Sequence, residues 1–270
     1  MQPQEFEPPK ALQDAIKCFW HIRLQFNELP ATFEVLPDGY AELIFHFGTC
    51  SLVTAAGLQP LPSPFMVGLL RQPVVFHVSN YLEIIGIRCF PWAVFELLGL
   101  PPSPDGVRIF KHPIAQLHPA LAEQLQAGKL AAALAQVTDY FGQAQAQQAD
   151  KLLDKAGGAM RAANGTLPVS QVAVAAHATV RTLERKFKQA AGHTVKDVSG
   201  LMRFEQVRNH LWRHPAASLA GLAQELGYTD QAHLSREFKR YSGTTPAAFA
   251  RKAKRGQLAG AHDFVAFVQA

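Results

Sequence analysis

Hydrophobic positions change their period along the chain, and that change divides it in two. Over the first hundred residues they alternate. In ATFEVLPDGYAELIFHFG, Phe33 and Val35, then Leu43, Phe45 and Phe47, alternate with polar neighbours on either side of Pro37-Asp38-Gly39. Alternation around such a turn signal predicts a β-hairpin. The runs FMVGLL (65–70), PVVFHVS (73–79) and YLEIIGIRCF (81–90) predict further short strands, and LQPLPSP before them a loop. Upstream, LQDAIKCFWHIRLQF follows a proline-rich lead and fits an edge strand or a short helix. Trp92 to Leu98 fits one or two helical turns, ended by Gly99 and Pro101-Pro102. To about Pro113 the chain is expected to form a small, mainly-β unit, a partly closed barrel or sandwich.

From Leu117 the composition turns to Ala, Gln and Leu, which favour helix. Helices are expected at about 119–127 and 129–141, broken near Gly128 and Gly142. QAQAQQA is the least constrained piece, so a linker is placed at 143–149, and a helix from Asp150 to Ala162 opens the next unit. The expected class is α+β: a β unit with its following helices at 1–142, an all-α unit at 150–255 and an apolar tail at 256–270.

The all-α unit contains a duplication. LPVSQVAVAAHATVRTLERKFKQAAGHT (167–194) aligns with SLAGLAQELGYTDQAHLSREFKRYSGTT (218–245) at a constant offset of 51. Leu183 matches Leu234, Arg185 matches Arg236, Phe187 matches Phe238, Lys188 matches Lys239 and Gly192 matches Gly243; Thr179 takes the N-cap place of Asp230. In each copy a short apolar helix precedes a longer one with a basic outer face. That is the pattern of a helix-turn-helix, and its recurrence is stronger evidence than either copy alone. Between the copies, TVKDVSGLMRFEQVRNHLWR predicts a longer helix with Leu201, Phe204, Val207 and Leu211 on one side.

Charge follows the same division. Residues 1–164 hold 11 Lys+Arg against 14 Asp+Glu, whereas residues 165–255 hold 15 against 6. A basic third beside an acidic remainder is the electrostatic footprint of a polyanion-binding unit.

The segment from about Asp150 to Lys252 resembles the DNA-binding domain of the AraC/XylS family of bacterial transcription regulators, through LAQELGYTDQAHLSREFKRYSGTTPAAFARK and the upstream TLERKFKQAAG. Two departures stand out: Ala176-His177 where a glycine is common in the first turn, and Gly200 interrupting the connecting helix. The resemblance implies two helix-turn-helix units joined by a longer helix, double-stranded DNA as partner, and RNA polymerase as a second partner if the chain activates. By the family pattern, base edges are read by Arg181, Glu184, Arg185, Gln231, Ala232, His233, Ser235 and Arg236. Arginine offers a planar fork to guanine, glutamine pairs with adenine, glutamate accepts from cytosine, and alanine can meet a thymine methyl. Thr179, Lys186, Lys188, Lys239 and Arg240 are expected at phosphates. The first unit, through PDGYAELIFHFG, FMVGLLRQP and IIGIRCFPWAVFELLG, resembles an uncharacterised sensory-type domain fused to such readers. This implies a small-molecule effector or a second copy of the chain as its partner, and names no ligand.

The remaining chemistry is sparse. Phe33, Phe45, Phe47, Phe65, Phe76, Phe90 and Trp92 are candidates for lining an apolar effector pocket, or plain core. His21, His46, His77, Asp38, Glu42 and the cysteines Cys18, Cys50 and Cys89 keep open a metal- or thiol-based sensor or an enzyme, but no spacing among them is that of a metal site or a catalytic triad. No metal, cofactor or catalytic residue is assigned. No apolar run approaches the ~20 residues of a membrane span, and MQPQEFEPPK has no apolar stretch of a signal peptide, so a cytoplasmic location is expected. In the tail, Phe264, Val265, Phe267 and Val268 are expected to dock on the first unit or on a partner chain.

Overall fold

Strands β1 (Gln4–Phe6), β2 (Ile16–Gln25), β3 (Ala31–Val35), β4 (Ala41–Thr54), β5 (Gly57–Pro60), β6 (Phe65–Val67), β7 (Val74–Cys89) and β8 (Val107–Arg108) form one antiparallel sheet in the computed structural model. The structure describes residues 3–26, 31–101, 106–145, 151–255 and 268–269. β7 organises the sheet. It runs through the two strands expected at 73–79 and 81–90 as one 16-residue strand. β4 pairs along one of its edges, while β2 and β3 share the other. β2 lies between β1 and β7, an inner position where an edge strand or short helix was expected. The expected loop at 58–64 begins as β5, paired with β4.

The predicted hairpin does not form: β3 and β4 each pair with β7 and not with one another. The Pro37-Asp38-Gly39 turn is drawn away to the second unit. Asp38 accepts a hydrogen bond from the Tyr40 N–H at 2.9 Å and pairs with Arg88, and the Pro37 carbonyl accepts from Arg208 at 3.4 Å.

Alternation along β7 builds two cores, because successive side chains point to opposite faces. Leu82 and Ile84 pack with Trp20, Ile22, Ile44 and Phe76 on one face. Ile85 and Ile87 pack with Phe19, Leu43 and Phe45 on the other, beneath helices α1 (Val94–Leu97), α2 (His118–Gln126) and α3 (Leu130–Gln145). α2 and α3 bury Leu121, Leu125, Ala133, Val137 and Phe141, spaced as one helix face requires. Of the linker expected at 143–149, residues 143–145 belong to α3 and 146–149 lie outside the described residues.

The second unit runs α4 (Lys151–Ala162), α5 (Val169–Ala175), α6 (Val180–Ala191), α7 (Val195–Arg213), α8 (Leu219–Glu225), α9 (Gln231–Ser242) and α10 (Pro246–Lys254). A capping box between Thr194 and Asp197 starts α7, which satisfies its first free N–H groups from both sides. Gly200 does not break it. A Cβ there would lie 3.1 Å from the Tyr241 hydroxyl, so the glycine leaves room for that side chain of α9 against α7. Beyond α10, β9 (Val268–Gln269) pairs with β3, so the end of the tail does reach the β unit; Phe264, Val265 and Phe267 lie outside the described residues.

The two units share a core. Leu36, Leu69, Phe90 and Trp92 from the β unit cluster with Ala156, Phe187, Val198 and Met202 from the helices. Trp92 lies flat on α4, where a Cβ on Gly157 would come within 2.1 Å of its ring. It also stacks on Phe90 at 5.1 Å and meets Phe187 of α6 at 5.8 Å.

Beside this apolar contact sits a buried ionic cluster. Arg88, 2% exposed, pairs with Asp38, lies 3.6 Å from Glu42 and 3.8 Å from Glu205 of α7; Arg208 lies 3.7 Å from the same Glu205. Burial pushes the Glu42 carboxyl up to about 8, with Arg88 opposing and Asp38 and Glu205 reinforcing. A protonated Glu42 leaves two carboxylates facing two guanidinium groups, so the cluster is neutral. Glu42 folded thus holds its proton where the unfolded chain, near 4.5, has lost it. Its contribution to stability is full below about pH 4.5 and is lost as pH rises through about 8. Urea unfolding of Glu42→Gln and wild type between pH 5 and 8 checks this. The variant is expected to gain stability relative to wild type as pH rises; parallel curves would mean that Glu42 is ionised throughout.

Candidate nucleic-acid interface

The two reader helices are built alike. Both α6 and α9 have 12 residues. The Thr179 hydroxyl accepts from the Thr182 N–H at 3.1 Å, and the Asp230 carboxylate from the His233 N–H at 2.6 Å. Side-chain oxygens there satisfy N–H groups that have no partner inside the helix. Leu183 and Phe187 in α6, and Leu234 and Phe238 in α9, are at most 1% exposed. Both helices end on a left-handed glycine, Gly192 at φ 72° and Gly243 at φ 71°.

The turns in front of them differ. α5 ends at Ala175 and α8 at Glu225, 50 positions on, whereas α6 begins at Val180 and α9 at Gln231, 51 positions on. The constant offset read from the sequence therefore holds only for the reader helices, and the second turn carries one extra residue. His177, at φ 52°, occupies the left-handed position held by Gly227, at φ 69°, in the second copy. A left-handed conformation costs a residue with a Cβ about 1–2 kcal/mol, so this first turn is the less relaxed of the two.

The exposed faces carry the charge. Arg181, Arg185 and Lys188 on α6, and Gln231, Ala232, Arg236, Lys239 and Arg240 on α9, are exposed. Thr179 is exposed as well; Lys186 and Ser235 are half-buried. The acids beside these arginines are committed elsewhere. Glu184 accepts from the Val195 N–H at 3.3 Å, Glu237 lies 3.3 Å from Arg203, and Glu205 belongs to the buried cluster. Among the described residues, Arg181, Arg185 and Arg236 have no ion pair. Two expected base readers have work inside the fold. Glu184 caps the start of α7, and His233 packs edge-on to Tyr228 at 5.3 Å with Nδ1 3.4 Å from the Thr229 hydroxyl.

Residues 172–252 match a helix-turn-helix domain family, and residues 4–104 match a domain of unknown function, DUF6597. The C-terminal unit is an AraC-type DNA-binding domain. It is joined to a mainly-β unit that carries the match to the domain of unknown function. Among solved structures, ToxT from Vibrio cholerae is similar at 9% identity with a TM-score of 0.47, covering 86% of this chain and 98% of ToxT. The DNA-binding domain of AdpA in complex with a target DNA is similar at 24% identity with a TM-score of 0.36, covering 40% of this chain and 99% of that one. An AraC-type regulator from Chromobacterium violaceum is similar at 22% identity with a TM-score of 0.35, over 38% of this chain and 91% of that chain. Among curated protein sequences none matches.

Outside the AraC-type domain the structure separates the residues expected to act together. Of the aromatic pocket candidates, Phe33, Phe65 and Phe76 line the inside of the β unit, around a cavity of only about 20 Å³. Phe45 packs on the opposite face, Phe47 stacks on His118 at 4.9 Å, and Phe90 and Trp92 lie in the junction between the units. Alternation along the strands sends them to different faces, so they form no common pocket. A larger cavity of about 440 Å³ opens at the junction, lined by Tyr40, Phe90, Arg161, Met202 and Glu205 among others. Arg161 lies 4.0 Å over the Phe90 ring, and burial lowers its pKa.

The histidines and cysteines also separate. His46 places its ring nitrogens 3.0 Å from the Gly48 carbonyl and 3.1 Å from the Leu61 carbonyl; His21 lies 2.7 Å from Glu83. Among the described residues no group of three or more His, Cys, Asp or Glu side chains is placed to hold a metal. All three cysteines are buried and free, and burial pushes Cys18 and Cys50 up to about 12. Such thiols stay protonated and unreactive. Among the described residues, no helix is long and apolar enough to cross a membrane.

Proposed function

We propose that the chain reads a specific DNA sequence by placing α6 and α9 in two successive major-groove faces, about 34 Å apart along the duplex. One observation carries this reading. The exposed reader arginines Arg181, Arg185 and Arg236 are left without ion pairs among the described residues, while Glu184, Glu205 and Glu237 are engaged inside the fold. Unpaired, solvated cations at this density are what a phosphate-lined groove selects. Base contacts are assigned to Arg181, Arg185, Gln231, Ala232, Ser235 and Arg236. Phosphate contacts are assigned to Thr179, Lys186, Lys188, Lys239 and Arg240. The reading gives the chain no catalytic step.

The four cationic phosphate contacts, Lys186, Lys188, Lys239 and Arg240, imply a log–log salt dependence with a slope of about −4. Titration of a duplex between 50 and 300 mM salt, about the range where such contacts dominate, measures it. A slope shallower than about −2 would mean that at most two phosphates are neutralised, which would sink the two-groove reading.

The cavities favour a second element of the proposal. A small-molecule effector would occupy the junction cleft and touch both units, since the inside of the β unit has room for a single water at most. A ligand there acts on DNA binding only through a difference in affinity between two arrangements of the units. A thermal-shift screen of small metabolites checks this: hits must also change duplex affinity, and hits that never do so would refute it.

A further inference from the structure

The duplication allows the two readers to be compared position by position. Their scaffolds coincide: an N-cap oxygen, a buried Leu and Phe four residues apart, and a left-handed glycine at the end. A side chain at one position of α6 therefore stands on its helix as the residue 51 places later does on α9. Arg185 and Arg236 coincide, exposed and without ion pairs among the described residues. Lys188 and Lys239 coincide on the same face, one turn further from the tip. Four residues before Lys239's neighbour Arg236, the pattern breaks: Ala232 stands where α6 has Arg181, and both are exposed. Residues four apart share a helix face, so this difference sits beside the shared arginine.

From this, and resting on the DNA-reading role proposed above, we infer that the operator is an imperfect repeat. One guanine is common to both half-sites, beneath Arg185 and Arg236. A neighbouring position differs, guanine beneath Arg181 and thymine beneath Ala232. The chemistry follows from the side chains. Arginine donates two parallel N–H bonds to guanine O6 and N7, whereas alanine has only a methyl group, which meets the thymine methyl in the major groove. No acid in either helix competes for these arginines, because Glu184 is held by the Val195 N–H and Glu237 by Arg203.

Exchanging the difference tests the inference on the full-length chain. Bound sequences are selected from a random duplex library with wild type, Ala232→Arg and Arg181→Ala, and the melting temperature of each is measured. A232R is expected to turn the thymine position into guanine, with a preference of about 5- to 150-fold, and so to make the half-sites alike. R181A is expected to lose the guanine preference in the other half-site only. A folded A232R that selects the wild-type sequence, or wild-type half-sites that share no guanine, would overturn the imperfect repeat. Should A232R fail to fold, R181A decides alone: a retained guanine preference there overturns it too. A wild-type chain that enriches no sequence would refute the DNA-reading role itself, a separate failure.

Discussion

Replacing Arg88 with methionine is expected to destabilise the folded chain by about 3–5 kcal/mol, the usual result of removing one partner from a buried ion pair. Arg88 sits near the end of β7, 2% exposed, and its guanidinium pairs with Asp38 and lies 3.8 Å from Glu205. Burial opposes the charge on Arg88, yet the three carboxylates more than offset it and raise its pKa. Methionine fills much of the volume but leaves Asp38 and Glu205 buried with too little positive charge. Arg208 remains 3.7 Å from Glu205, so Asp38 is the group left most exposed to the loss. Chemical denaturation of R88M measures the effect. A loss under about 1 kcal/mol would place the cluster among solvated surface pairs, which contribute little. Since Glu205 belongs to α7, the helix that joins the two readers, the same variant loosens the β unit from the AraC-type domain.

The second large effect concerns DNA. The double variant Arg185→Ala with Arg236→Ala is expected to lose about 2–6 kcal/mol of specific binding, taking about 1–3 kcal/mol for each bidentate guanine contact. The two residues lie on different helices without a shared partner, so their effects should add. Affinity for random duplex is expected to fall far less, because lysines and backbone N–H groups still hold phosphates. Competition binding with specific and random duplexes at one salt concentration compares the two losses. Equal losses would show that both arginines touch only the DNA backbone.

The sequence made the reader legible and the junction obscure, for a physical reason. Helices α4 to α9 follow from local signals: caps at Thr179, Thr194 and Asp230, stops at Gly192 and Gly243, and apolar residues at helical spacing. The one-residue difference between the turns was hidden, because a small insertion in a loop leaves the helical pattern intact on both sides. In the β unit, alternation identified strands but not their partners. Pro37-Asp38-Gly39 carries every mark of a hairpin turn, yet its Asp38 is taken by Arg88, a residue 50 positions away. A signal was present in YLEIIGIRCF, where a lone arginine inside an apolar run has to find buried acids. Glu205 and Arg208 gave a matching signal on the apolar side of α7. What the sequence does not encode locally is that these three belong together. The dispersal of Phe33, Phe45, Phe47, Phe76, Phe90 and Trp92 has the same origin, since which face a strand residue takes depends on register and closure of the whole sheet.

The central claim is that α6 and α9 read two half-sites in one duplex, and the half-site spacing tests it most directly. Sequences that the full-length chain selects from a random library should contain two guanine-bearing half-sites with centres about 10–10.5 base pairs apart, one helical turn. Enrichment of a single half-site, or of no sequence at all, would contradict it.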